Sequence, residues 1–245
     1  MCRLLAGLAA CGWLLGVPAG PVSAEEAKPP PAPAKKAAEH EPAKTVQYRP
    51  PDWKAPKTRV AAATRGLEDP GPYLTLLVPE RTGYTSEASP TLYWYVSERF
   101  AGPVQVTLLK ERAIEPVLEM RLEHGVEAGV HAIPLRAYKV VLEPGVDYEW
   151  SVTLTVDPNR PSTDSFASGT IRRVPQAALP RAVAGADELA ALAAHGLWYD
   201  AVDLSSRLIQ AHPEDVAWRE LRAELLEQEG LEEPAAWDRT LAGLQ

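Results

Sequence analysis

Apolar and polar residues alternate along much of the middle of the chain, and the alternation is clearest between Asp147 and Val156. Apolar side chains occupy every second position of this stretch, namely Tyr148, Trp150, Val152, Leu154 and Val156, and polar side chains occupy the positions between them. A period of two is typical of a β-strand with one buried face and one solvated face. The turn residues Pro144 and Gly145 come just before this stretch, so we expect the strand to begin after them.

Six other segments have the length and composition of strands. The predicted strands cover residues 73–78, 91–96, 104–109, 117–123, 130–135, 147–156 and 165–174. No segment between them is long enough for a helical crossover, so we expect antiparallel sheets. The pattern Leu-x-Pro-Gly-x-x-Tyr-x-Trp, from Leu142 to Trp150, resembles the entry to strand F of fibronectin type III and immunoglobulin-like domains, in which the tyrosine forms a corner. We therefore predict that residues 72–178 form an all-β, immunoglobulin/fibronectin-like antiparallel sandwich.

The apolar spacing becomes helical from residue 186 to the end of the chain. Three pairs of identical residues in this segment are 34 positions apart, namely Gly196 and Gly230, Leu192 and Leu226, and Ala201 and Ala235. The segment therefore resembles a tetratricopeptide repeat, whose period is 34. Fewer than two repeats fit, and an array needs about three to bury its own core. We expect residues 186–245 to pack on the sandwich or on a partner, as a small helical hairpin without a peptide groove rather than as a peptide-binding array.

The N-terminus has the pattern of an export signal. Arg3 precedes an apolar stretch, and the small residues before Glu25 predict cleavage after Ala24. A lipobox-like sequence ending at Cys11 is the alternative, with the chain anchored through a lipid on that cysteine. Both cysteines of the chain lie in this segment, so cleavage leaves no thiol for a disulfide or a metal site. We predict a periplasmic or secreted protein that meets a membrane only through an uncleaved or lipidated N-terminus.

Residues 25–71 are rich in proline, with alanine, lysine and glutamate between the prolines. Such a composition cannot bury a core, so we predict a disordered leader, with a tether or a partner-binding strip as the alternatives. Trp53, Val60 and Leu67 are the residues that would dock its later part onto the folded domain.

The charge of the chain excludes one class of partner. The formal net charge is −8, which gives no basic surface for nucleic acid. Residues 186–245 carry 13 acidic and 4 basic residues, a balance of −9, whereas residues 25–185 carry 20 of each. The acidic excess therefore belongs to the helical segment.

Several ordered sequence blocks carry a resemblance over about residues 55 to 235. The blocks are Leu76 to Glu80, Ser89 to Tyr95, Pro144 to Trp150, Asp157 to Arg160, Gly169 to Val174 and Gly196 to Ala201. Together they resemble the bacterial family DUF928, a domain of unknown function. The loop after the sixth predicted strand departs from the family pattern because Pro161 is inserted there. The resemblance implies an exported protein of the bacterial envelope and implies no catalytic activity.

The loop from Asp157 to Asp164 holds the densest group of polar residues. Asp157, Asn159 and Asp164 offer oxygen ligands for calcium, and Arg160 lies among them, but the loop lacks the glycine and the final glutamate of an EF-hand. Aspartate and asparagine also form turns by bonding to nearby backbone, and we favour that interpretation. His124 and His131 are expected to be solvated, because no third ligand for a metal accompanies them.

Two further pairs of residues are candidates for a site. Glu80 ends the first predicted strand and Asp164 precedes the last, so the two could act as a glycosidase pair if they met across a cleft. Tyr93 and Tyr95 lie on the polar side of a strand and could stack on a sugar or a peptide, although we prefer that the helical layer docks on them.

None of the common catalytic motifs occurs, so we predict no catalytic residue, no metal and no cofactor. The favoured function is a non-catalytic binding or scaffolding module whose partner is another envelope protein. The alternative is a glycan-directed envelope hydrolase that uses carboxylates at strand ends.

Overall fold

The structure is a computed structural model, and it describes residues 45–51, 58–60, 71–157, 159–160, 163–175 and 185–243. All of these ranges belong to one compact unit that spans residues 41–245. The predicted signal segment with its cleavage site at Ala24, Cys11, and the proposed docking residues Trp53 and Leu67 lie outside the described residues.

The β-structure consists of two sheets in the described ranges. The strands are β1 (Leu74–Leu76), β2 (Gly83–Thr85), β3 (Thr91–Val96), β4 (Val104–Lys110), β5 (Leu118–Leu122), β6 (Gly129–Pro134), β7 (Asp147–Leu154) and β8 (Ser165–Arg173). One sheet has the order β1-β3-β6 and the other has the order β2-β8-β7-β4-β5. A short 3₁₀ helix, Leu135–Tyr138, follows β6. The chain is therefore built from two mostly antiparallel sheets followed by helices.

The alternation found in the sequence places the core side chains. Tyr148, Trp150, Val152 and Leu154 of β7 are all buried, whereas Glu149 between the first two is exposed. In the register of β7 with β4, Val152 lies opposite Val106 and Trp150 lies opposite Leu108. Apolar pairs directly opposite one another on adjacent strands stabilise a sheet. The period-two pattern thus sets both the strand and the face that it buries.

The expectation of purely antiparallel sheets was wrong at one place. The three-residue strand β2, which the sequence pattern did not predict, pairs in parallel with β8, with Gly83 opposite Ile171. A parallel pair requires a long connection between its strands, and here most of the sandwich lies between β2 and β8 in the chain. The two buried positions of β2 are Gly83 and Thr85, so the strand carries no apolar alternation that a sequence pattern could reveal.

Four helices follow the sheets and form two helical hairpins. They are α1 (Ala186–Ala194), α2 (Trp198–Ala211), α3 (Ala217–Glu227) and α4 (Glu232–Ala242). The turns of the two hairpins are alike: the Leu197 N–H donates to the Leu192 carbonyl, and 34 residues later the Leu231 N–H donates to the Leu226 carbonyl. A glycine with positive φ, 74° at Gly196 and 66° in the second turn, precedes each of these leucines. The described helices therefore contain two copies of the hairpin, more than the partial repeats recognised from the sequence.

Helix α2 interlocks with the sandwich through its first two residues. The Trp198 indole N–H donates to the Leu77 carbonyl at 2.8 Å. The Tyr199 hydroxyl accepts a hydrogen bond of 3.0 Å from the Trp150 indole N–H. A Cβ atom added at Gly83 would lie 2.6 Å from the Tyr199 ring, so the backbone of β2 must lack a side chain there. The buried side chains of sheets and helices form one continuous hydrophobic cluster.

Part of the proline-rich leader segment is in contact with this unit. The Arg49 N–H donates to the Ala193 carbonyl at the end of α1. Val60, one of the residues expected to dock the leader, forms an isolated antiparallel bridge with Ser168 of β8. The described residues 45–51 and 58–60 thus meet both the helices and a sheet.

A buried ion pair ties three of the helices together. The Arg222 guanidinium of α3 donates to both carboxylate oxygens of Asp238 in α4, at 2.6 and 2.7 Å. It also donates to the Ser206 hydroxyl of α2 at 2.8 Å. Asp238 is fully buried and Arg222 nearly so. Removal of one member of such a pair leaves an uncompensated charge inside the protein.

We expect Tyr199→Phe to lower the free energy of unfolding by about 1–3 kcal/mol, because the buried Trp150 indole N–H would lose its acceptor. Urea unfolding followed by tryptophan fluorescence measures the change. Tyr138→Phe is the matched control, since Tyr138 is 43% exposed and its loss should cost less than about 0.5 kcal/mol. Equal losses of stability in the two variants would contradict the role given to the hydrogen bond between Trp150 and Tyr199.

We expect Arg222→Met to lower the free energy of unfolding by about 3–5 kcal/mol, because Asp238 would stay buried without its main partner. The double variant Arg222→Met, Asp238→Leu should recover much of that loss. Arg99→Met is the control, since Arg99 pairs with Glu127 on the surface and its loss should cost at most about 1 kcal/mol. Thermal melts of all three variants decide the outcome, and a double variant as unstable as the single one would disprove the role given to the pair.

Candidate functional site

A cleft of the described unit lies between the start of β3 and the first helical hairpin. Its volume is about 500 Å³. Its walls come from the β2–β3 connection, the end of β6 with the 3₁₀ helix, and helices α1 and α2. The polar residues that line it are Ser86, Glu87, Ser89, Thr91, Arg136, Glu188, Tyr199, Asp200, Asp203 and Arg207. The cleft is therefore formed jointly by the sandwich and the helices.

Asp200 lies on the inner wall of the cleft and holds the β2–β3 connection. One of its carboxylate oxygens accepts a hydrogen bond from the Thr85 hydroxyl at 2.5 Å. The other accepts from the Ser86 N–H at 2.9 Å and from the Ser86 hydroxyl at 2.6 Å. Burial raises the pKa of Asp200 above its usual value, and the bonds from Ser86 and Thr85 oppose that rise. The carboxyl group is thus a structural fastener between α2 and the sandwich.

Asp203, one helical turn further along α2, has a similar role. It accepts a hydrogen bond of 3.0 Å from the Tyr93 hydroxyl of β3, and its second oxygen accepts from Arg207 at 2.9 Å. Burial and the neighbouring Asp203 raise the pKa of the Tyr93 hydroxyl, so this group keeps its proton and remains a donor. All four carboxylate oxygens of Asp200 and Asp203 accept hydrogen bonds from within the protein.

The rim of the cleft carries charged groups of both signs. Arg136 and Glu87 are exposed, and Glu188 is partly exposed. Among the described residues, the Arg136 guanidinium has no ion-pair partner. An arginine that presents its planar donors to solvent suits recognition of a carboxylate or phosphate group. The rim can therefore bind a ligand by ion pairing, while the carboxylates of the inner wall remain hydrogen-bonded within the protein.

Glu80 and Asp164, the carboxylates considered for hydrolysis, have separate surroundings. The Glu80 N–H donates to Glu229, which lies at the turn between α3 and α4. Asp164 instead accepts a hydrogen bond of 3.1 Å from the Val156 N–H within the β7–β8 connection. Neither residue is among those that line the cleft.

The other polar candidates lie in the β7–β8 connection as well. Asp157 accepts a hydrogen bond from the Asn159 N–H at 2.9 Å and one from the Arg160 guanidinium at 3.1 Å. These bonds lower the pKa of Asp157, and the bond from the Asn159 backbone contributes most. An aspartate that accepts the N–H two residues ahead forms an Asx turn. Across the described ranges, no group of three His, Cys, Asp or Glu side chains is arranged to hold a metal ion.

Tyr93 and Tyr95 are covered by the helices. They are only 5% and 3% exposed. Tyr93 bonds to α2, and the Tyr95 ring lies 6.0 Å from the ring of Trp237 in α4. Neither ring is accessible to stack on a sugar or a peptide. Of the two histidines that were considered, His131 stacks on Trp94 with ring centroids 4.5 Å apart, whereas His124 is exposed.

The model of the Domain of Unknown Function (DUF928) family matches residues 60–238, which is most of the chain. The chain belongs to the DUF928 family. The resemblance identified from the ordered sequence blocks is confirmed. The match covers β1 to α3 in full and the first part of α4, and it includes the whole lining of the cleft. The comparison with curated proteins finds no significant match. In the described part of this DUF928 chain, no helix is both long and apolar enough to cross a membrane.

Sequence reasoning missed the residues of the cleft. Asp200 and Asp203 belong to a helix whose neighbouring residues Trp198 and Tyr199 are apolar and buried. Their signal was present, because acidic residues on the side of a helix that carries large apolar residues are rarely left without partners. Arg136 gave no signal, since a single arginine after a strand is common on protein surfaces.

We expect the stability that Asp200 contributes to fall as the pH rises from about pH 4 to pH 7. The pKa of Asp200 is raised in the folded state, so its folded carboxyl group binds a proton more tightly than the unfolded one. That contribution is fully present below the pKa that Asp200 has in the unfolded chain. It is lost as the pH rises through the pKa that Asp200 has in the folded protein. The measurement is the free energy of unfolding of the wild type and of Asp200→Asn across this range.

The difference in free energy, wild type minus Asp200→Asn, should become smaller as the pH rises. Glu98→Gln, at an exposed position, is the surface control. A difference that grew with pH would show that hydrogen bonding to the carboxylate outweighs its burial.

Proposed function

We propose that this DUF928 protein is a non-catalytic binding or scaffolding module of the bacterial envelope, and that its partner is another envelope protein. The observation that carries the proposal is the division of the cleft. Its two inner carboxylates, Asp200 and Asp203, accept bonds that fasten the helices to the sandwich, whereas the charges at its rim face solvent. Asp200 and Asp203 are therefore engaged and not available to a substrate as acid–base groups. The charges of the rim stand on a rigid frame, as recognition of a partner requires.

The charges of the rim suggest the chemistry of the partner. Arg136 would pair with an acidic group, while Glu87 and Glu188 would pair with basic ones. A polypeptide segment that carries both charges meets these requirements better than a neutral glycan. The hydrolase alternative has less support, because neither Glu80 nor Asp164 is among the residues that line the cleft.

The proposal includes a location outside the cytoplasm, in the periplasm or secreted, with lipid anchoring through Cys11 as the alternative. The support for it is the apolar N-terminal stretch with small residues before the cleavage position at Ala24. We also propose finer fold relationships for the two parts of the unit.

For the sheets we propose an immunoglobulin/fibronectin-like sandwich. Two observations support it: the strand orders β1-β3-β6 and β8-β7-β4-β5 correspond to the two sheets of such a domain, and the Tyr148 hydroxyl accepts a hydrogen bond from the Glu143 N–H five residues upstream. For the helices we propose a tetratricopeptide-like pair of repeats. The identical turns 34 residues apart support that assignment.

The test uses the full chain immobilised and exposed to envelope extract. We expect that a partner captured by the wild type is bound at least about tenfold more weakly by Arg136→Glu, because the substitution reverses the accessible charge of the rim. Arg99→Glu is the matched control, since Arg99 is an exposed arginine beyond the other end of β3. Equal capture of the partner by the wild type and both variants would show that the rim of the cleft does not bind it.

A parallel arm of the same experiment examines the hydrolase. The wild type, Glu80→Gln and Asp164→Asn are incubated with cell-wall glycan, and released reducing ends are measured. We expect no release above the blank for any of them. Release by the wild type that both variants abolish would replace the proposed function with the enzymatic one.

A further inference from the structure

The segment from Thr45 to Pro51 is seated on the helices as an extended peptide. The side-chain amide of Gln228 holds its backbone from both sides: the carbonyl oxygen accepts from the Tyr48 N–H at 2.8 Å, and the amide nitrogen donates to the Val46 carbonyl at 2.8 Å. One residue further, the Arg49 N–H donates to the Ala193 carbonyl at 3.1 Å. These bonds engage only the main chain of the segment, which is how many grooves bind extended peptides irrespective of sequence.

The side chains of the segment alternate between the groove and solvent. Val46 and Tyr48 are 1% and 5% exposed, whereas Gln47 and Arg49 are exposed. The Tyr48 ring meets the Trp198 ring edge-on, with centroids 4.8 Å apart. Alternate side chains entering pockets supply the selectivity of an extended-peptide site. The groove therefore holds an aliphatic side chain and, two positions later, an aromatic one.

The groove is larger than the segment that occupies it. A space of about 630 Å³ lies beside the segment, lined by Thr45, Val46, Gln47, Glu224, Glu227 and Gln228. Glu224 has a buried carboxylate oxygen without a hydrogen-bond partner in the described part of the chain. A buried acceptor without a donor is costly. A ligand that replaces the segment and brings a basic or hydroxyl group to this oxygen would gain from bonding to it.

We propose that this groove, formed by the ends of α1 and α3 and the start of α2, is a binding site for an extended segment of a partner protein. The ligand has an aliphatic residue, any residue and an aromatic residue in order, with a basic or hydroxyl-bearing residue that reaches Glu224. Residues 45–51 are the competitor in the same chain and keep the site closed until the partner segment displaces them. The proposal deepens the binding function proposed above, but it concerns a surface separate from the cleft, and it departs from the expectation of a helical segment without a peptide groove.

The test uses a fluorescently labelled peptide with the sequence of residues 45–51, Thr-Val-Gln-Tyr-Arg-Pro-Pro, and full-length proteins. The double variant Val46→Ala, Tyr48→Ala weakens the internal competitor and should bind the peptide at least about tenfold more tightly than the wild type, because apparent affinity scales with the fraction of open sites. Adding Gln228→Ala should abolish that gain. Gln47→Ala is the matched control, because Gln47 is exposed in the same segment, and it should bind like the wild type.

A second measurement needs no substitution, in case the double variant does not fold. In the ¹⁵N-labelled wild type, excess unlabelled peptide should move the amide resonances of Tyr48 and Arg49 to the positions of a free segment. The side-chain amide of Gln228 should keep its bound position. A folded double variant without the affinity gain, or unchanged Tyr48 and Arg49 resonances at saturating peptide, would overturn the proposal.

The outcome is separable from that of the cleft. Arg136→Glu should bind the peptide as the wild type does, and Gln228→Ala should not affect what the cleft captures. If two copies of the chain exchanged this segment, a dimer would form at high protein concentration and the peptide would prevent it. Such a dimer would show that the ligand is the segment of a second copy and not a partner protein.

Discussion

The buried hydrogen bond between the Trp150 indole and the Tyr199 hydroxyl is the contact on which the rest of the unit depends. An indole N–H in the centre of a sandwich needs an acceptor, because an unpaired donor in an apolar interior is expensive. The sheets do not supply that acceptor. Helix α2 supplies it from outside, and the Tyr199 hydroxyl in turn donates to the Thr170 carbonyl of β8. One aromatic side chain thus satisfies a polar group in the core and fixes where the helix begins.

The position of α2 then determines the other contacts between the layers. With Tyr199 in place, the preceding residue Trp198 reaches the Leu77 carbonyl, and the following residue Asp200 reaches the β2–β3 connection. Asp203, a turn later, meets Tyr93 of β3. The cleft is the space left between these fixed points. Its shape follows from the docking of the helix, and its rim charges are the part of its lining that the docking leaves open to a ligand.

The sequence predicted the features that repeat and missed the ones that arise where elements meet. Seven strands followed from a period of two, and the helical segment followed from the helical spacing of its apolar residues, because both periods are set by local backbone geometry. The repeat of 34 residues then indicated the pairing of the helices. Strand β2 could not be found, since its buried positions are a glycine and a threonine and not apolar side chains. The roles of Asp200 and Asp203 could not be found either, because each depends on a partner more than 100 positions away in the chain. Val46 and Tyr48 were hidden by the prolines around them, which made the segment resemble a plain leader.

The single hydrophobic cluster that runs from the sandwich into the helices has a consequence for dissecting the protein. A fragment ending at residue 178 would lack Tyr199, so the Trp150 indole N–H would have lost its acceptor. The rings of Tyr93 and Tyr95 would also become exposed. Such a truncated chain would aggregate or bind nonspecifically through surfaces that are interior in the intact protein. Deletion mapping is a common first approach to locating a binding region. Here it would assign to the helical segment a loss of binding that is caused by damage to the sandwich. In this molecule the boundary between sheets and helices is a change of secondary structure and not a place where the chain can be cut.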